Sequence, residues 1–226
     1  MKRENCPFCH VGSRVVAENE LALGKGILCF NVESIPELHR INEVAGRLGK
    51  RAPVSLRVNP NVDAKTHPYI ATGLKANKFG VAFSDALETY RTAASLPNLD
   101  VVGIDCHIGS QLLDDAPLLE ALDKLIELID ALGAEGIHLH HLDIGGGLGI
   151  DYGDGAPVPV GDYLARLFKR IDAWRAEQHG GAPIKEAVQV ESAQPVDGGS
   201  GDLSEPLGGG GLSRWRDREE NELSLT

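Results

Sequence analysis

Short β-type runs alternate with helical patterns from about residue 26 to residue 190, and this alternation limits the chain to a small set of folds. Ile27-Leu28-Cys29-Phe30-Asn31-Val32 is an apolar run of the kind expected for a strand buried on both faces. Pro36 opens a helix with Leu38, Ile41, Val44, Ala45 and Leu48 on one face, and Gly49 closes it. Residues 54–58 predict the next strand, followed by a long loop over residues 59–77. Ser84 is placed to cap a helix carrying Leu87, Tyr90 and Ala94. A third strand over residues 101–106 leads to a helix that starts at Pro117 and bears Leu118, Leu122, Leu125, Ile126, Ile129 and Leu132. Residues 137–144 predict a fourth strand. The last helix holds Leu164, Leu167, Phe168, Ile171 and Trp174, stops at Gly180-Gly181, and precedes a strand over residues 187–190. Such alternation predicts parallel strands joined by crossover helices. A closed (β/α)₈ barrel and an open doubly wound sheet both satisfy it. A full barrel needs about 250 residues and eight units. About five units are visible here, so the pattern predicts part of a barrel.

The two ends read differently. Residues 1–23 carry Cys6-Pro7-Phe8-Cys9-His10 and a strand-like piece, Arg14-Val15-Val16-Ala17. Residues 192–226 shift to Gly, Ser, Pro and acid, including Gly208-Gly209-Gly210-Gly211, and bury too little apolar surface to offset the entropy of ordering. The expected division is therefore 1–23, 24–191 and a low-complexity, disordered tail over 192–226. With Lys+Arg 22 against Asp+Glu 33, the net charge of −11 disfavours a nucleic-acid groove or an anionic membrane surface, which need basic patches. No run reaches the roughly 18 apolar residues of a membrane span. The start lacks the apolar core of a secretory signal, and four cysteines make no disulfide framework, so the expected compartment is the cytoplasm.

Two strings at strand ends carry chemistry. Gly145-Gly146-Gly147-Leu148-Gly149 offers backbone N–H groups that can converge on an anion, and it also reads as a plain tight turn. It is not a dinucleotide fingerprint, because no Gly-x-Gly-x-x-Gly opens a helix here. Asp105-Cys106-His107-Ile108-Gly109-Ser110 supplies an imidazole able to stack on a flat ring or move a proton, and a hydroxyl able to donate to a phosphate. The bland reading of His107 is a satisfied structural histidine. Cys6-x-x-Cys9 with His10 is half a zinc site or a pair of free thiols, and no second pair stands at metal spacing. No metal is expected.

Phe30-Asn31-Val32-Glu33-Ser34, Leu56-Arg57-Val58-Asn59-Pro60, Lys78-Phe79-Gly80, Cys106-His107-Ile108-Gly109-Ser110 and Leu142-Asp143-Ile144-Gly145-Gly146-Gly147 follow one another in a distinctive order. In this the chain resembles the diaminopimelate decarboxylases, fold-type III enzymes that depend on pyridoxal 5'-phosphate. The stretch over residues 59–70, with Thr72-Gly73, resembles that family over the related ornithine and arginine enzymes. The resemblance covers about residues 24–185. It implies an alanine-racemase-type barrel in which His107 stacks on the pyridine ring and Ser110, Gly145, Gly146 and Gly147 hold the cofactor phosphate. Arg57 and Lys78 would lie near the cofactor. The parent reaction converts meso-2,6-diaminopimelate to L-lysine and CO₂ in lysine biosynthesis, and the parent enzymes are dimers whose sites are completed across the interface.

The resemblance also marks departures. The family's Schiff-base lysine stands in a Tyr-Ala-Val-Lys-Ala-Asn type strand, and nothing before Gly24 matches it. Leu74-Lys75-Ala76-Asn77 imitates that string at a position where the family has a loop, so Lys75 is a decoy. Of the family's Glu-Pro-Gly-Arg, Val190-Glu191-Ser192-Ala193-Gln194 keeps at most the acid, Glu191. The substrate-binding β-domain and its cysteine have none, and Cys6, Cys9, Cys29 and Cys106 do not replace that cysteine. Residues 1–23 resemble instead the opening of a histidine-triad nucleotide hydrolase, but His138-Leu139-His140-His141 breaks the triad spacing. The expectation is a decarboxylase fragment, inactive alone. The alternatives are a non-catalytic phosphate- or cofactor-binding remnant that partners a full-length subunit, and a histidine-triad hydrolase.

Overall fold

Strand order decides between the two architectures that alternation leaves open. The computed structural model describes residues 7–63, 79–151, 157–177, 185–190 and 212–216. Within them the chain runs α1 (Pro7–Lys25), β1 (Phe30–Val32), α2 (Ile35–Arg47), β2 (Ala52–Asn59), β3 (Val81–Ala82), α3 (Phe83–Ser95), β4 (Leu99–Asp105), α4 (Ala116–Ala134), β5 (His141–Asp143), α5 (Val160–Glu177), β6 (Lys185–Val190) and β7 (Leu212–Arg216). Neighbouring strands follow the order β1-β2-β4-β5-β6-β7, with the short β3 paired to β2 off that path. All pairs from β1 to β6 are parallel. The spatial order never reverses. A doubly wound sheet reverses at a switch point and carries helices on both faces. Crossovers of one hand that advance in one direction put every helix on the same face. The fold is α/β and forms part of the wall of a TIM-like barrel.

The strand period builds the two faces of that wall. Val54, Leu56 and Val58 of β2, Ile104 of β4 and Leu142 of β5 are all buried and pack under the helices. The helices answer with periodic apolar faces, such as Leu38, Ile41 and Val44 on α2 and Leu118, Leu122 and Leu125 on α4. Tyr90 of α3 crosses the core, and its buried hydroxyl donates to the Gly103 carbonyl at 2.8 Å. Tyr90→Phe should cost about 1 kcal/mol by removing that donor. Urea unfolding of the variant measures the loss, and an unchanged midpoint would show that the strand ladder alone satisfies Gly103.

Several elements differ from the pattern expected. The strand-like piece at Arg14 to Ala17 lies inside α1. Val15 and Val16 are β-formers locally, but the surrounding Ala, Glu and Leu residues favour helix over the whole window. Lys25 stands in the last turn of α1, and Gly26 follows at φ 70°. α1 is tied to α2 and the turn after it, through Arg47–Glu20 at 3.3 Å and Lys50 Nζ donating to the Leu23 carbonyl at 2.8 Å. β1 is shorter than the run 27–32 and is not buried on both faces, since Asn31 is exposed opposite the buried Val32. It is the end strand of the described sheet, where an apolar run lacks a neighbour on one side. α3 is capped by Ala82, not Ser84, whose hydroxyl instead donates to Asp85 at 2.9 Å. The expected disordered tail contains β7, which pairs antiparallel with β6 from Val190↔Leu212 to Glu186↔Arg216. Average composition over 192–226 hides a five-residue segment, and the free edge of β6 supplies the backbone partners it needs. Cys6, residues 64–77 of the expected loop and the expected Gly180-Gly181 stop lie outside the described residues.

Candidate cofactor site

Parallel register sets the inner face of the wall. Asn31, Ser55, Gly103 and His141 lie side by side across four strands, and one layer on Arg57, Asp105 and Asp143 do the same. A barrel interior is ordinarily filled by Val, Ile and Leu. Here it is polar, which marks a site rather than a plug. Gly103 is required in the first layer. A Cβ there would lie 2.9 Å from His141 Cδ2 and 3.0 Å from Ser55 Oγ.

The second layer sits at the C-terminal ends of the strands. Ser55 Oγ donates to Asp105 Oδ1 at 2.9 Å inside the protein. Burial pushes the Asp105 carboxyl up to about 7, against the Ser55 hydrogen bond, with Asp143 raising it further and Arg57 lowering it. Burial likewise raises Asp143, opposed by the Gly145 N–H that donates to its Oδ1 at 2.7 Å. His141 is lowered by burial, against the Asp143 charge. Cys29 is pushed up to about 11 by burial and then by Asp105 and Asp143. Glu33, just past β1, accepts from Arg57 Nη1 at 2.7 Å and from the Gly80 N–H at 3.1 Å, and Arg57 lies over the Phe79 ring, 5.4 Å from its centre. Arg57 is thus held by an acid and a ring within this layer.

Above the layer, the loops that follow β4 and β5 meet backbone to backbone. Gly145 has φ 70°, and a Cβ on it would overlap the Cys106 carbonyl and lie 3.1 Å from His107 Nδ1. Gly147 has φ 101°, and its Cβ would overlap the Gly109 carbonyl. Leu112 N–H donates to the Gly147 carbonyl at 2.9 Å, and Gly149 N–H to the Leu112 carbonyl at 2.7 Å. The structure therefore brings together the two strings that the sequence singled out, with Gly145 against His107 and Gly147 against Gly109, and with Gly146 and Ser110 as their chain neighbours. It separates their roles, because the Gly145 amide is taken by Asp143. Among the described residues, no donor–acceptor partner meets the Gly146 and Gly147 N–H groups or the Ser110 hydroxyl. Those three donors, beside His107, can hold a dianion. Sequence reading assigned no role to Glu33, Ser55, Asp105 or Asp143. The signal for the last three was the i, i+2 spacing Ser55/Arg57, Asp105/His107 and Asp143/Gly145. Cys106 is buried, its thiol facing the Ile144 carbonyl at 3.6 Å, and burial pushes its pKa up, so it stays an inert thiol. Lys75, Lys78 and Glu191 lie outside the described residues.

The family model described as "Pyridoxal-dependent decarboxylase, pyridoxal binding domain" matches residues 8–186. The chain belongs to this family of pyridoxal-phosphate-dependent decarboxylases. It is 62% identical over 159 residues to diaminopimelate decarboxylase of Neisseria meningitidis serogroup B, covering 70% of this chain and 38% of that protein. It is 58% identical over 168 residues to the diaminopimelate decarboxylase of Vibrio cholerae, covering 74% and 40%. The crystal structure of the Helicobacter pylori diaminopimelate decarboxylase complexed with L-lysine superposes with a TM-score of 0.67 at 42% identity, over 75% of this chain and 41% of that one. The chain thus spans about two fifths of the length of these relatives. The match from residue 8 takes in most of α1, and nothing supports the likeness of residues 1–23 to a histidine-triad protein.

The donor set fits the family's cofactor. Two buried glycine amides and a serine hydroxyl are donors of the kind a phosphate monoester takes, and His107 lies beside Gly145. No helix among the described residues is long and apolar enough to cross a membrane.

Proposed function

We propose that this chain carries the cofactor-facing wall of a diaminopimelate decarboxylase, with residues 24–191 as the unit that binds pyridoxal 5'-phosphate. The observation that carries this reading is the set of unpartnered donors at Gly146, Gly147 and Ser110 beside His107, above a polar layer at the strand ends. Ser110 and the two amides bind the phosphate, Gly145 keeps the turn close to His107, and His107 covers one face of the pyridine. Bound there, the cofactor's protonated pyridine supplies the electron sink for loss of CO₂ from an amino acid. Asp105, its carboxyl raised by burial, and Asp143 line the layer beneath the site, and Arg57, fixed by Glu33, stands among them with the opposite charge. The substrate is meso-2,6-diaminopimelate and the products are L-lysine and CO₂. The compartment is the cytoplasm, and the partner is a second copy of the chain, which sedimentation velocity would show as a dimer.

Titration of pyridoxal phosphate into the 226-residue chain, followed by visible absorption, tests this reading. Saturable binding is expected, weakened about 10- to 100-fold in Ser110→Ala through loss of one charge-assisted hydrogen bond. His107→Ala should weaken it too. The chain alone is expected to bind without turnover, since nothing before Gly24 matches the family's Schiff-base string and Lys75 stands where the family has a loop. Release of CO₂ from diaminopimelate would refute that last expectation, and absence of saturable binding would refute the reading itself.

A further inference from the structure

The phosphate turn has no side chains of its own with which to hold its shape. Gly145, Gly146, Gly147 and Gly149 leave Leu148 as its one anchor, buried at 7% exposure and bridged to Leu112. Its first amide is fixed by Asp143. Its far end is fixed from outside, by Gln111. The Gln111 side chain meets both backbone groups of Ile150, with Nε2 donating to the carbonyl at 2.5 Å and Oε1 accepting from the N–H at 3.2 Å. In this it takes the place of a further rung beyond the Leu112–Gly147 and Gly149–Leu112 pairs. Gln111 adopts φ 59°, one of two positive values among the described residues other than glycine. A residue held in that region is kept there by what surrounds it. Ser110, the hydroxyl of the proposed phosphate site, is its chain neighbour.

We infer that Gln111 is a positioning residue for the phosphate turn, its side-chain amide pinning Ile150 so that the Gly146 and Gly147 amides stay beside Ser110. The inference rests on the phosphate site proposed above. Gln111 touches neither cofactor nor substrate in this role. It acts through the backbone of residues 145–150, which glycine would otherwise leave free to sample many conformations.

The test uses two variants of the full chain and two ligands. Gln111→Gly removes the side chain while tolerating the positive φ, so the backbone keeps its conformation without new strain. Gln111→Glu keeps an acceptor for the Ile150 N–H but sets a carboxylate against the Ile150 carbonyl. Amide hydrogen exchange is measured without ligand, and affinities are measured for pyridoxal phosphate and for pyridoxal, which lacks the phosphate. Both variants should raise exchange at Gly149 and Ile150 at least tenfold while leaving β2 and β4 unchanged. Both should lose about tenfold in affinity for pyridoxal phosphate and nothing for pyridoxal. Unchanged exchange at Gly149 and Ile150, or an equal loss for both ligands, would overturn the role of Gln111. A wild-type chain that does not prefer pyridoxal phosphate over pyridoxal would instead overturn the phosphate site. The exchange data would then still report whether the clamp exists.

Discussion

Gly147→Ala is expected to destabilise the chain by about 3 kcal/mol and to abolish pyridoxal phosphate binding, because two independent penalties fall on one position. The residue sits at φ 101°, which an alanine adopts only under strain. The added Cβ would also overlap the Gly109 carbonyl and stand 3.2 Å from Leu112 Cδ1. Gly109 is backbone and cannot swing aside, so the two loops must separate. Separation breaks the hydrogen bonds that link Leu112 to Gly147 and Gly149 and pulls Ser110 away from the turn. Gly133→Ala is the matched control. Gly133 lies in α4 with nothing within 4 Å of its Cβ position, so alanine there should be neutral or stabilise by up to about 1 kcal/mol. Urea midpoints of both variants measure the difference. Equal midpoints would mean that the loops are not packed backbone to backbone as described.

That contrast also shows what a sequence can and cannot disclose here. The helices are legible because their signal is local. Leu38, Ile41, Val44 and Ala45 repeat at helical spacing, and all four are buried on α2. Leu48, expected on the same face, falls at the helix end and is 41% exposed, since the face rotates out of the core where the helix stops. The glycine string and the His-Ile-Gly-Ser string are legible for the same reason, as consecutive residues. The layer beneath them is not. Arg57, Asp105 and Asp143 become neighbours only through the register of three strands, and that register includes an irregularity between Val54 and Ser55. One residue of slip would turn Asp105 to the helix side. Gln111 leaves no trace at all in pattern, because its partner Ile150 is far along the chain and both lie in loops. The strand before the glycine turn was expected over 137–144 and forms only at His141–Asp143, since the residues before it reach no neighbouring ladder beyond one hydrogen bond from His140 to Val102.

Asp105 should make the stability of this protein fall as pH rises from about 4 to about 7, opposite to the usual carboxylate. Its folded pKa of about 7 lies above the ordinary value of 3.8, because burial penalises the charge more than Ser55 and Arg57 relieve it. Between those two values the folded chain holds a proton that the unfolded chain has released. Stability then declines by about 1.4 kcal/mol per pH unit, to a total of roughly 4 kcal/mol, and levels off above pH 7. Below pH 4 both states are protonated and the group contributes no slope. Asp143, also raised by burial, adds a decline of the same sign. His141 is lowered, so its contribution runs the other way, lost as pH falls through its unfolded value near 6.5. Asp105→Asn isolates the aspartate. An asparagine oxygen still accepts from Ser55, but no charge forms, so the variant should match the parent near pH 4 and exceed it by several kcal/mol at pH 8 in urea unfolding. A variant less stable than the parent at pH 8 would mean that the ionised Asp105 is favourably paired with Arg57, against the penalty of burial. The same proton bears on binding. A neutral Asp105 leaves Arg57 to face Glu33 and Asp143 alone, whereas an ionised one adds negative charge beneath the proposed phosphate site. Affinity for pyridoxal phosphate should therefore weaken above pH 7 in the parent chain, and Asp105→Asn should remove that part of the decline.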